Sequence, residues 1–210
     1  MALEGGLNQP QHSLAMVYLH GFLSSPQAAK ATILDDALTA YQLPVTFYRP
    51  AIADKPSQAI PALSTFVAAL KQQYARVILI GSSLGGFYAH HLAEQFDLSC
   101  VLINPLVDAK LKMQELDESI AGALENPYTH NIFSIDDADK RAVENFATCS
   151  DAAKPLNKLI LLQMADEVLD ARLAARYYRQ SPCIISAGGH HQFEHFERYS
   201  LTIFKWLGLC

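Results

Sequence analysis

Short apolar runs alternate along this chain with longer stretches in which apolar residues recur every three or four positions. The runs Leu14–Leu19, Val45–Tyr48, Val77–Ile80, Cys100–Ile103, Leu159–Leu162 and Ile184–Ser186 are strand candidates. Most are continuously apolar, which is how a strand reads when both of its faces are covered. The helix candidates are Pro26–Tyr41, Pro56–Tyr74, Leu84–Phe96, Ala171–Arg179 and Glu194–Leu207. Ser25 is the expected N-cap of the first, with Pro26 at N1, where a missing N–H costs nothing. The second carries Ile60, Leu63, Val67 and Leu70 as a helical stripe. Strand followed by helix, repeated, predicts an α/β chain. Its sheet is expected to be mostly parallel, with about six strands, right-handed crossovers and helices on both faces.

The alternation breaks between Asn104 and Pro155, where no good strand appears and a structureless loop would be unusually long. Val107, Leu111, Ile120 and Leu124 predict an amphipathic helix there, and Ser134 with Asp137 predicts a capped second one. Residues 105–155 therefore read as a small helical, lid-like insertion over the strand ends, within a single domain spanning 14–210. Residues 1–13 read as a flexible terminus, frayed over Ala2–Pro10.

With 210 residues, 50% of them hydrophobic, the chain can fill one core. A formal net charge of -5 and the lack of a Lys/Arg run argue against a nucleic-acid partner. No apolar stretch reaches the roughly 18 residues of a membrane span, and Met1–Ser13 does not read as a signal peptide. Cys100, Cys149, Cys183 and Cys210 are scattered with no C-x-x-C pair, the pattern of buried, reduced thiols in a cytoplasmic protein.

Gly81-Ser82-Ser83-Leu84-Gly85 is the sharpest chemical signal. It is a G-x-S-x-G match that follows a strand and opens a helix, the context in which a serine is thrust out above a sheet on a strained turn. Ser83 is the expected nucleophile. Ser82 is out of register, because Ile80 would occupy the first glycine position. His20-Gly21-Phe22 follows the first strand, and its loop is expected beside the serine. The backbone N–H groups of Phe22 and Leu84 would then face the developing oxyanion, where one donor is worth about 3 kcal/mol. His20 is expected to brace this loop by hydrogen bonds and Gly21 to let the backbone approach. Both, with Asn104, make up the expected substrate-binding set.

A serine needs a base, and the base needs an orienting carboxylate, which follow in this fold in the order Ser, acid, His. After the next-to-last strand, Asp166 lies on the turn and is favoured as the acid. Asp170, which also looks like a helix N-cap, and Glu167 are alternatives. After the last strand, Gly188-Gly189 presents His190, His191 and, further on, His195, with His191 favoured as the base. These histidines with Glu194 and Glu197 match no H-E-x-x-H spacing, and a serine set needs neither a metal nor a cofactor.

Several segments resemble the small bacterial YqiA/YcfP-like esterases of the α/β-hydrolase superfamily. They are His20-Gly21-Phe22 with Ser24-Ser25-Pro26, Gly81–Phe87, Asn104-Pro105, Asn126-Pro127-Tyr128-Thr129, Asp166–Asp170 and Gly188–Phe193. The resemblance runs from residue 18 to the final helix. It implies the α/β-hydrolase fold and esterase activity, with Asp166 as acid and His191 as base. Ala165 departs from it, standing where a glycine commonly precedes the aspartate.

The expected function is thus a serine hydrolase acting on small-molecule carboxylic esters or thioesters of short to medium acyl chains. Leu106, Leu111, Met113, Ile132 and Phe133 of the insertion are expected near the acyl pocket. An acyltransferase or thioesterase would use the same triad, and a non-catalytic binding module could share the fold.

Overall fold

The computed structural model describes residues 13–119, 122–148 and 157–210. Ala2–Pro10, Ile120, Cys149 and Pro155, which figure in the sequence reading, lie outside the described residues. In chain order the elements are β1 (Leu14–Leu19), α1 (Ala29–Ala40), β2 (Val45–Tyr48), α2 (Pro56–Gln73), β3 (Arg76–Ser82), α3 (Leu84–Phe96) and β4 (Ser99–Ile103). There follow α4 (Ala109–Ser119), β5 (Leu124–Glu125), β6 (Ile132–Phe133), α5 (Asp137–Thr148), β7 (Lys158–Gln163), α6 (Ala171–Tyr177) and β8 (Cys183–Ser186). A 3-10 turn (Phe196–Tyr199) leads into α7 (Ser200–Trp206).

Six strands form one parallel sheet in the order β2-β1-β3-β4-β7-β8. Side chains alternate between its faces. Met16, Tyr18, Ile78, Ile80, Val101, Ile103, Leu159 and Leu161 pack under α1 and α7. Ala15, Val17, Leu79, Cys100, Leu102, Ile160 and Leu162 pack under α2, α3 and α6. Two covered faces are why these strands read as unbroken apolar runs. On α2 the buried stripe is Ala59, Leu63, Val67 and Leu70, with Ile60 half-buried beside it.

Three local expectations are corrected. Ser25 does not cap α1: its Oγ accepts from Gln27 N at 3.3 Å and its carbonyl from Ala28 N at 3.0 Å. Ser25 and Pro26 thus belong to a turn, and Ala28 stands at the N-cap with no side-chain bond. Leu124 is not helical but lies in β5, which pairs with β6 as an antiparallel hairpin. Asn126 shapes that hairpin, its Oδ1 accepting from Tyr128 N at 2.9 Å and Thr129 N at 3.4 Å, while its Nδ2 donates to Asp54. The cap of α5 is Asp136, not Ser134. Asp136 Oδ1 accepts from Ala138 N and Asp139 N, and Asp139 Oδ2 accepts from Asp136 N, a reciprocal capping box. Buried Asp139 also accepts from Ser57 N and pairs with Lys55, which fastens the insertion to the start of α2.

Of the described cysteines, Cys100 alone is buried; Cys183 is half-buried and Cys210 exposed. Among the described residues no helix is long and apolar enough to cross a membrane.

Candidate active site

Ser83 stands between the last residue of β3 and the first of α3, with φ 57° and ψ −123°. A side-chain-bearing residue in such backbone costs on the order of 1–3 kcal/mol, so its surroundings must hold it. Ser83 N donates to Ile103 O at 3.1 Å, and Ser83 O accepts from Gly86, Phe87 and Leu106 at 2.9–3.2 Å. The strand-to-helix crossing is so tight that a Cβ on Gly81 would lie 2.1 Å from Gly85 O. One on Gly85 would lie 2.0 Å from Leu19 O. Both glycines of the motif are therefore required by close backbone approach.

His191 Nε2 lies 3.0 Å from Ser83 Oγ. Its Nδ1 lies 2.8 and 3.0 Å from the two carboxylate oxygens of Asp166. Asp166 Oδ1 also accepts from Val168 N and Leu169 N, each at 2.9 Å. Burial pushes the Asp166 carboxyl up, but the His191 bond and these two N–H groups outweigh it and hold the pKa below the usual carboxylate value. The Asp166 side chain is 1% exposed and that of His191 14%, so the line of contacts runs from a closed interior to an accessible hydroxyl.

The other acid and base candidates have different partners. Asp170 caps α6 through Arg172 N at 2.9 Å. Glu167 Oε2 accepts from the His191 backbone N at 3.0 Å. His190 Nδ1 accepts from Gln192 N, and His195 is exposed beside Glu194 and Glu197.

The loop carrying His191 is held from below. Gln163 Oε1 accepts from His190 N and Glu194 N, and its Nε2 donates to Glu194 O, at 2.8–3.1 Å. Gly189 has φ 84°, and a Cβ there would strike the Gln163 carboxamide. Asn104 is buried at the end of β4 with φ 40°. Its Nδ2 donates to His190 O and His191 O at 3.2 and 3.4 Å, and its Oδ1 accepts from Gln163 N at 2.9 Å. Both ends of the Asn104 side chain, expected from sequence among the substrate-binding residues, are thus engaged by the His191 loop and the end of β7.

His20 is buried, with Nδ1 3.0 Å from Gly21 O and Nε2 accepting from Ile52 N at 3.3 Å. Burial pushes its pKa down, opposed by the Gly21 carbonyl and the charge of Asp54. A neutral ring with its proton on Nδ1 satisfies both contacts. Gly21 approaches the serine so closely that a Cβ would sit 3.2 Å from Ser83 Cβ. Among the described residues, the loop and turn hydrogen bonds leave the N–H groups of Phe22 and Leu84 without an acceptor.

A cavity of about 280 Å³ opens at Ser83 and His191, walled by Phe22, Leu23, Leu84, Leu106, Met113, Val168 and Leu169 with Lys112. A second cavity of about 140 Å³ shares Leu106, Lys112, Val168 and Leu169 with it and continues past Leu111 and Leu173. Of the insertion residues expected near the site, Leu106 and Met113 line the inner cavity and Leu111 the outer one. Phe133 packs edge-on against Phe22, and Ile132 is exposed on the hairpin.

Among the described residues, the group of His, Cys, Asp and Glu close enough to share a cation is His90, His91 and Glu94 on α3. Lys158 Nζ already binds Glu94 at 2.8 Å, and its positive charge opposes a second cation. Sequence reasoning missed Gln163 as an anchor, although its polar side chain ending an apolar strand was a signal. It also missed the backbone contact of Glu167, which no local pattern announces.

Several solved structures share this architecture. Est1E from Butyrivibrio proteoclasticus aligns with a TM-score of 0.71 at 15% identity, covering 96% of this chain and 91% of that one. The alpha/beta hydrolase domain-containing protein 10 from mouse aligns at 0.66 and 14% identity, covering 92% and 89%. A monoacylglycerol lipase from Paleococcus ferrophilus aligns at 0.65 and 16% identity, covering 92% and 93%. At these identities the likeness shows the fold, which is that of the α/β hydrolases. The match to a sequence family spans residues 15–208, in line with the resemblance read from the motifs. The chain belongs to the uncharacterised protein family UPF0227.

Proposed function

We propose that this protein is a serine hydrolase that cleaves carboxylic esters or thioesters by two-step acyl transfer. The observation that carries the reading is the unbroken line from Asp166 through His191 to Ser83, with contacts of 2.8 and 3.0 Å, opening into an apolar cavity. In the first step Ser83 Oγ attacks the ester carbonyl while its proton passes to His191 Nε2. Asp166 fixes the Nδ1–H tautomer and stabilises the imidazolium. The charge that develops on the carbonyl oxygen is met by the N–H groups of Phe22 and Leu84, the second of which also lies at the positive end of α3. His191 returns the proton to the leaving alcohol or thiol. It then takes a proton from the water that attacks the acyl-serine and passes it to Ser83 Oγ as the acid leaves, which restores the starting state. The apolar walls suit an acyl group and exclude bulk water, which strengthens each of these polar contacts.

The test is covalent labelling with a fluorophosphonate probe beside hydrolysis of p-nitrophenyl acetate. Wild-type protein is expected to label and turn over, and Ser83→Ala to do neither while keeping its circular dichroism spectrum. Folded wild-type protein that does neither overturns the reading. Labelling that persists in Ser83→Ala moves the nucleophile elsewhere.

A further inference from the structure

The loop bearing His191 is gripped by its carbonyls. Those of His190 and His191 accept from Asn104, that of Glu194 from Gln163, and that of Gln192 from Lys30 Nζ at 2.9 Å. The first three bonds come from the ends of β4 and β7. The fourth comes from α1, which packs beside the 3-10 turn and α7 that follow the loop. Lys30 is a costly residue in that place. It is buried, at 8% exposure, and an ammonium out of water loses hydration. It also lies in the first turn of a helix, where the macrodipole disfavours a cation. Burial pushes its pKa down to about 8, while the Asp166 carboxylate pulls the other way. The 3-10 turn and α7, which pack on α1, bring Glu197, Arg198 and Lys205, all exposed. Asp166 is thus the charged group that acts on the buried ammonium. Neither helix stability nor core packing calls for a lysine here, since an apolar chain of equal length would serve both better.

We propose that Lys30 is a positioning residue of the hydrolase site, its ammonium fastening the Gln192 carbonyl so that the His191 ring stays aligned between Ser83 and Asp166. The assignment rests on the hydrolase reading above. A charge-assisted bond is roughly twice as strong as a neutral one, and here it is made one residue beyond the base. Phe193, the next residue, has φ 63°, so the backbone there is not at rest without its anchors. Loosening the loop would let the imidazole drift from the serine while leaving the rest of the cavity wall in place, since Lys30 does not line it.

Lys30→Met and Lys30→Arg, with Ser83→Ala as the inactive control, test this through Tm and through kcat and KM for p-nitrophenyl acetate. Lys30→Met is expected to keep or raise Tm, lower kcat tenfold or more and leave KM within twofold. Lys30→Arg, which restores a charged donor, is expected to recover at least part of that kcat. A purely structural lysine would show the reverse, a lower Tm with kcat intact. Wild-type kcat in folded Lys30→Met overturns the assignment, as does a Lys30→Arg protein no faster than Lys30→Met. If the methionine variant does not fold, wild-type kcat and Tm in Lys30→Ala overturn it equally. Wild-type protein that fails to hydrolyse the ester at all sinks the hydrolase reading instead.

Discussion

Asn104 engages three backbone groups with one short side chain, two on the loop of the proposed base His191 and one at the end of β7, just before the turn of the proposed acid Asp166. Removing a buried partner leaves the others unsatisfied, at a cost of about 1–3 kcal/mol each. Asn104→Ala is therefore expected to lower stability by at least that much in urea melts. It should also lower kcat for an acetate ester more than it raises KM, because the loop it frees contributes His191 alone to the cavity. An unchanged kcat would show that Gln163 and its neighbours hold the loop alone. At this scale Ser83 is legible from sequence, since the constraints that create its turn, two glycines and a strand before a helix, are local. The choice among Asp166, Glu167 and Asp170 is not. All three are acids within five residues; turn position and the family resemblance favour Asp166, but the contact that distinguishes it comes from His191 on another loop, which no local pattern shows. Lys30 is still less legible, because a single lysine in a first helical turn carries no sign of the carbonyl it will meet 162 residues later.

At the scale of the element, α3 does two jobs. Its N-terminus carries the serine turn, and its middle buries His90 and His91 against Phe87, Phe146 and Tyr178. Burial, followed by the charge of Lys158 and for His90 that of His91, pushes His90 down to about 2 and His91 to about 4. Both rings are thus neutral in the folded protein at pH 7, with Glu94 and Lys158 as the charged pair beside them. The unfolded chain takes up these protons near the ordinary histidine value of about 6.5. Because the folded values are depressed, the stability is present above about pH 6.5 and is lost as pH falls toward the folded values. For His91 the loss by pH 4 is on the order of 2–3 kcal/mol. The urea midpoint is expected to fall steadily between pH 6.5 and 4, and His91→Phe, which keeps a ring between Phe87 and Phe146, should flatten that fall. A midpoint independent of pH over this window would mean that the pair is solvated. The sheet strands are legible in the sequence because burial on two faces removes their polar positions. The hairpin at Asn126 is not, since two-residue strands have no period to detect. The α5 cap is displaced because Asp136 and Asp139 form a better box than Ser134 can.

For the whole molecule, what matters is that the serine cavity does not end at the insertion. Leu106, Lys112, Val168 and Leu169 belong to both the inner cavity and the outer groove, so under the proposed reaction an acyl chain leaving the inner cavity would meet Leu111, Val168 and Leu173 in a groove whose rim also carries Asp108, Glu115 and Asp170. Leu111, Val168 and Leu173 are 46%, 45% and 43% exposed, an unusual grouping of large aliphatic side chains around one opening. Each methylene that the groove takes out of water is worth up to about 0.8 kcal/mol, or about fourfold in kcat/KM. The substrate range should accordingly reach the medium-chain end of the short to medium acyl groups expected from sequence. The measurement is kcat/KM for p-nitrophenyl acetate, hexanoate and octanoate in wild type and in Leu173→Asp. Leu173 lies outside the inner cavity and is exposed, so the acetate value should stay within twofold and the fold should be unaffected. The octanoate value should fall about tenfold, because one of the groove's three exposed aliphatic contacts would be replaced by a further carboxylate that cannot give up its hydration cheaply. Equal losses on both esters, or none on either, would place the end of the chain elsewhere and confine substrate recognition to the inner cavity.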